Sequence, residues 1–201
     1  KSTHNFDNDI VMAARHIGKR YGVSKPHVQS VEKIALAIFD GMKKFPGLGQ
    51  RERLLLQCAV YLHDCGKYVS LADAADCNYQ IVIATEIIGI SHMEREMIAQ
   101  IVRFNTLPME SYDTLSETSD LGIVEYMTVN KLTAILRLAN AMDRSHLQKV
   151  EQIRAAVRDD RLVLNLVTNK DFTLERGLLG EKLDFFEDVF GIRPVLKEKR
   201  S

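Results

Sequence analysis

His27, the doublet His63-Asp64 and the distant Asp143 are the residues of this chain whose types fit a divalent cation. Imidazole nitrogen is a borderline donor and carboxylate oxygen a hard one. Such a set suits Mg²⁺, Mn²⁺, Fe²⁺ or Zn²⁺ better than an ion that seeks thiolates, and it points to phosphate chemistry. Lys67 closely follows Asp64, and Arg144 directly follows Asp143; both are candidates to offset phosphate charge there. A His-Asp dipeptide by itself is a weak signal, so the weight lies in its setting.

Three helical patterns lead to these residues. Ser24 is a good N-cap, Pro26 is tolerated in a first turn, and Val31, Ile34 and Ile38 follow His27 on one face. A second helix, from about Arg51 to Leu62, carries Leu54, Leu55, Cys58, Ala59 and Leu62 and delivers His63 and Asp64 at its end, before Gly66. A third, from about Thr128 to Met142, puts Leu132, Leu136, Ala139 and Asp143 on one stripe. Charged groups are rarely buried unless paired or bound to metal. Singly, each has a plainer role: a helix-end His bonded to a backbone carbonyl, or Asp143 paired with Arg137 or Arg144. Together, on three apolar faces, they are expected to converge in one coordination sphere. Cys65, beside them, reads as a small packing residue rather than a nucleophile.

The pattern of His, then His-Asp, then a distant Asp on a helical chain resembles the HD superfamily of metal-dependent phosphohydrolases. More narrowly, His27-Val28, Tyr61 to Lys67, Gly89 to Glu94, Ile101 to Phe104 and Leu136 to His146 resemble the C-terminal region of the exopolyphosphatase / guanosine pentaphosphate phosphohydrolase family. Asp171 to Leu174 and Phe190-Gly191 are similar too. The resemblance implies a mainly α fold, a metal set of His27, His63, Asp64 and Asp143, catalytic roles for Asp64 and Lys67, and phosphate binding by Lys67 and Arg144. It also implies a homodimer. Where relatives often carry further histidines, this chain has Asp76-Cys77 and Asn105, so one metal ion or none is expected rather than two. The family's catalytic, actin-like N-terminal region has no counterpart here, since no glycine-rich phosphate loop and no alternating strand-helix pattern appears. The chain, which begins at Lys1, therefore reads as a C-terminal fragment or domain of a longer protein.

At 46% hydrophobic and 27% charged residues the chain can bury one solid core and a small second one. No apolar run is long enough to span a membrane. Cys58, Cys65 and Cys77 show no metal-type or redox spacing, which makes a reducing cytoplasm the natural setting. With net charge zero, long-range attraction to a polyanion is not a property of the whole molecule, and specific nucleic-acid binding is not expected.

The expected architecture is a helical HD-superfamily domain over residues 1–148 and a small α+β appendage over 149–201, built of hairpin, helix and strand. In it, Leu162, Leu164 and Leu166 alternate with Val163, Asn165 and Val167, an amphipathic helix runs from Phe172 to Phe190, and Ile192 to Leu196 returns as a strand. Ser91 to Glu94 forms a capping box, and residues 105–125 form a polar loop suited to an interdomain or dimer contact. More large apolar side chains occupy 172–190 than a three-stranded appendage is expected to cover, which again suggests a dimer. Two functions follow. One is an accessory module that binds polyphosphate or a phosphorylated nucleotide and organises a homodimer, with the missing N-terminal domain doing the chemistry. The other is a stand-alone metal-dependent phosphohydrolase.

Overall fold

The computed structural model describes residues 6–201, which divide into two units, one of residues 6–24 and 54–130, the other of residues 25–53 and 131–201. The chain is mainly helical, with one small three-stranded sheet near its C-terminus.

The first unit opens with α1 (Phe6–Arg20). Asp7 and Asp9 in its first turn and Lys19 and Arg20 in its last suit the helix dipole, and Ile10, Val11, Ala14 and Ile17 form its buried face. From Leu54 onward α3 (Gln50–Leu62) belongs to this unit; Leu54, Leu55, Cys58, Ala59 and Leu62 are buried as their spacing predicts. A short 3-10 helix, Cys65–Tyr68, follows directly, and α4 (Ala74–Ala84) packs on it. Gly66 is required by that packing: a Cβ there would stand 2.1 Å from the Ala74 carbonyl oxygen. The capping box of α5 (His92–Phe104) is present, with Ser91 accepting from the Glu94 amide and the Glu94 carboxylate accepting from Ser91. Within the polar stretch 105–125, Ser111 caps a single turn, α6 (Tyr112–Leu115), and Leu115 and Leu121 are buried. The helix α7 (Ile123–Ala141) starts five residues earlier than its apolar pattern suggests, Thr128 being a mid-helix residue whose hydroxyl donates to the Val124 carbonyl.

In the second unit α2 (Lys25–Met42) lies along β1 (Val150–Arg158). The contact is so close that a Cβ on Gly41 would meet the Ala155 carbonyl oxygen at 2.8 Å. β1 pairs antiparallel with β2 (Arg161–Thr168) through Asp159 and Asp160, both at positive φ, as a tight hairpin turn needs. Leu162, Leu164 and Leu166 are buried as the alternation predicts. Each contributes about 2 kcal/mol by leaving water. The expected strand after Gly191 is β3 (Arg193–Arg200), and it pairs parallel to β2.

The single helix expected over 172–190 is two helices, α8 (Thr173–Gly177) and α9 (Gly180–Phe190). Gly177 and Gly180 weaken the helix between them, where an apolar count registers only continuity. Of the large apolar side chains expected over 172–190 to need an outside cover, Leu174 and Leu178 are exposed, whereas the phenyl rings are largely covered within this chain. Phe172, Phe186 and Phe190 are buried, and the Arg137 guanidinium stacks 4.3 Å from the half-buried Phe185 ring.

Among the described residues no helix is long and apolar enough to cross a membrane.

Candidate functional site

Each unit holds one cluster of the residues singled out by sequence. In the first unit α3 ends at Leu62, so His63 and Asp64 stand at its C-terminal end. The His63 ring is buried and its Nδ1 donates to the Val60 carbonyl at 2.6 Å, which fixes the tautomer and turns Nε2 towards Asp64, 3.5 Å from Oδ2. A ligand histidine characteristically has one nitrogen tied to a carbonyl in this way, leaving the other basic. Asp64 Oδ1 lies 3.1 Å from the half-exposed Lys67 ammonium. Asn78, from α4, clamps the turn: its amide nitrogen donates to the His63 carbonyl at 2.6 Å and its oxygen accepts from the Gly66 amide. Cys65 is buried, and desolvation together with the Asp64 charge pushes its thiol up to about 12, so it stays an unreactive packing group.

In the second unit His27, in the first turns of α2, and Asp143, just past α7, are both almost wholly buried, and Nδ1 of the first lies 2.6 Å from Oδ2 of the second. Asn140 Oδ1 lies 2.9 Å from His27 Nε2, and the Gln148 amide donates to Asp143 Oδ1 at 2.9 Å. The exposed His146 ring stacks on His27 at 3.7 Å, nearly parallel. To reach this position the backbone takes φ 59° at His146 and 50° at Gln148. That segment is held by Glu175 of α8, whose carboxylate accepts from the Ser145 amide at 3.2 Å and from the Lys149 ammonium at 2.9 Å. Burial pushes the Glu175 carboxyl up, but the bonds from Lys149 and Ser145 outweigh it and hold it below its usual value. Lys33 of α2 donates to the Val150 and Glu151 carbonyls; its ammonium is lowered by burial, against the pull of Asp143 and Glu151.

Thus His63, Asp64 and Lys67 come together in one unit, and His27 and Asp143 in the other. Asp143 takes His27 as its partner, while Arg144 is exposed and makes no ion pair among the described residues. Asn78, Asn140, His146 and Glu175 were not anticipated. The single hint for Glu175 was a carboxylate within an apolar-rich segment.

The fold is a mainly helical one with an appended sheet, and a buried histidine stands against an aspartate carboxylate in each of its units. The chain belongs to the Ppx/GppA phosphatase family: the profile of that family's domain III matches residues 11–185. The match bears out the resemblance to the C-terminal region of the exopolyphosphatase / guanosine pentaphosphate phosphohydrolase family. No curated protein matches the chain.

Proposed function

We propose that this chain is the accessory module of an exopolyphosphatase-like phosphohydrolase. It binds polyphosphate or a phosphorylated nucleotide and organises a homodimer, while the family's actin-like N-terminal region, outside these 201 residues, hydrolyses the phosphoanhydride bonds. The observation that carries this reading is the state of the second unit's cluster. His27 has a protein acceptor at each ring nitrogen, and both Asp143 oxygens are engaged by His27 and Gln148. Such saturation suits a structural node better than an open catalytic position.

One divalent ion remains part of the proposal, with His27, His63, Asp64 and Asp143 as its residues. The donor chemistry fits in the first unit, because His63 Nδ1 is tied to a carbonyl and Asp64 presents a carboxylate. It fits in the second if the Asn140 amide yields His27 Nε2, with Asp143 then orienting the ring through Nδ1. The ion would supply a bound water of lowered pKa and positive charge for phosphate oxygens. Lys67 and Arg144 would meet phosphate oxygens directly, Lys67 by exchanging Asp64 for the ligand.

The engaged His63 tautomer favours a second reading, a stand-alone metal-dependent phosphohydrolase acting on a nucleotide-like phosphate through Asp64 and Lys67. Purified chain supplied with divalent metal and long-chain polyphosphate separates the two. Binding without orthophosphate release is expected; robust turnover abolished by Asp64→Ala would replace the accessory reading with the enzymatic one.

A further inference from the structure

The sheet of the second unit turns its leucines inward, and strand register fixes what its other face presents. Arg154, Asn165 and Lys197 are cross-strand neighbours in one row. Gln152, Val167 and Lys199 form the next row towards one end. Beyond the small apolar row of Ala156, Val163 and Val195, the hairpin end carries Arg158, Arg161 and Arg193.

Arg193 is occupied by Asp184 at 2.8 Å and Glu187 at 3.7 Å. Arg154, Arg158, Arg161, Lys197 and Lys199 are exposed and make no ion pair among the described residues. No paired position on this face carries a carboxylate. Glu198 belongs to the opposite face, where it binds Arg176; Glu151 sits at the β1 irregularity, where its charge acts on Lys33; Asp159 and Asp160 are confined to the turn. In a chain of net charge zero this is a local segregation of positive charge. An open groove of about 330 Å³ is lined by Gln152, Arg154, Asn165, Lys197 and Lys199 and also by Glu198, whose carboxylate is engaged by Arg176.

Neighbouring strands lie about 5 Å apart and same-face residues about 7 Å apart along a strand, so the basic positions extend over roughly 20 Å. That length matches an extended polyanion rather than one phosphate. Single-stranded nucleic acid is gripped through aromatic platforms on which bases stack. This face has none: its other positions are Gln, Asn, Ala and Val. We propose that the solvent face of β1, β2 and β3 is a docking track for a base-free phosphate polymer, inorganic polyphosphate. The inference rests on the reading above that the chain handles phosphate chains, and it assigns the holding of the polymer to residues other than Lys67 and Arg144.

The test is anisotropy of end-labelled polyphosphate titrated with the full chain at several salt concentrations. The proteins compared are the parent, Arg154→Gln/Lys197→Gln, Arg158→Gln/Arg161→Gln and Lys67→Gln, each checked for unchanged helicity. Both double variants are expected to bind about tenfold more weakly at low salt and to show a shallower dependence of log Kd on log salt. Parent-like binding by both double variants would overturn the docking track and leave the accessory function standing. No binding by the parent would remove both. A labelled oligothymidylate binding as tightly as polyphosphate, with the same losses in the double variants, would overturn the choice of a base-free polymer.

Discussion

His27 Nδ1 and Asp143 Oδ2 meet at 2.6 Å although the residues are 116 positions apart in sequence. Both side chains are 1% exposed, so neither can exchange its partner for water. Removing one member of a buried pair leaves an uncompensated group and costs about 3–5 kcal/mol. Asp143→Ala is therefore expected to lose about that much in urea denaturation, and Asp143→Asn, which keeps an acceptor for His27 Nδ1, roughly half. A loss under about 1 kcal/mol for Asp143→Ala would mean that the pair does not hold the second unit together.

The turn after His63 admits no side chain at Gly66. A Cβ there meets the Ala74 oxygen at 2.1 Å and the Asn78 nitrogen at 2.6 Å, both backbone atoms that cannot swing aside. Gly66→Ala should displace α4 and release the Asn78 clamp on His63, destabilising the chain by about 3 kcal/mol or more, as overpacking and a lost buried bond combine. Asn78→Ala tests the clamp alone and is expected to cost about 1–3 kcal/mol without the steric part. If Gly66→Ala melts like the parent, the packing of the 3-10 helix on α4 is looser than these distances imply.

Periodicity made the helices legible because their buried faces repeat: Val31, Ile34 and Ile38 follow His27 on α2, and Leu162, Leu164 and Leu166 alternate on β2. The same regularity led to the His27 and Asp143 positions, since a polar residue stands out on an apolar stripe. Asn78 was not visible in this way, because its burial serves backbone groups of a turn twelve to fifteen residues away rather than a repeating face. Nor was His146, whose stacking depends on positive-φ backbone that no residue type announces. The parallel pairing of β3 was equally hidden, as alternation records which face is buried and is silent on strand direction.

The Glu96 carboxylate accepts from the Tyr79 hydroxyl, the Gln100 amide and the Ser119 hydroxyl, each at 3.0 Å. Burial, followed by the bond and charge of Glu96, pushes the Tyr79 phenol up to about 12. An unfolded phenol ionises near 10. Below pH 10 both states are protonated and the contribution is fully present. Between about 10 and 12 the unfolded chain releases a proton that the folded one keeps, so stability falls as pH rises. Tyr79→Phe is expected to cost about 1 kcal/mol at neutral pH and to remove that part of the alkaline decline. Denaturation midpoints of parent and variant should approach one another above pH 10. Curves that stay parallel to pH 12 would dissociate Tyr79 from it.

Glu175 is wholly buried, and its two acceptor bonds reach different parts of one segment, the Ser145 amide before the two positive-φ residues and the Lys149 ammonium after them. The carboxylate thus fixes both ends of the turn whose Gln148 amide bonds Asp143 and whose His146 covers His27. Its pKa is held below the usual glutamate value, so its contribution is complete above that value and is lost as pH falls through the folded one. Glu175→Gln should cost about 2–4 kcal/mol at pH 7 by leaving Lys149 buried without its counter-charge, and the difference from the parent should narrow in acid. A double change, Glu175→Gln with Lys149→Met, removes the stranded cation and should recover part of the loss. Amide exchange distinguishes this role from general destabilisation. The Ser145 and Gln148 amides should lose protection well before those in the middle of β2, whereas uniform loss throughout the second unit would show that Glu175 stabilises the unit without anchoring the turn.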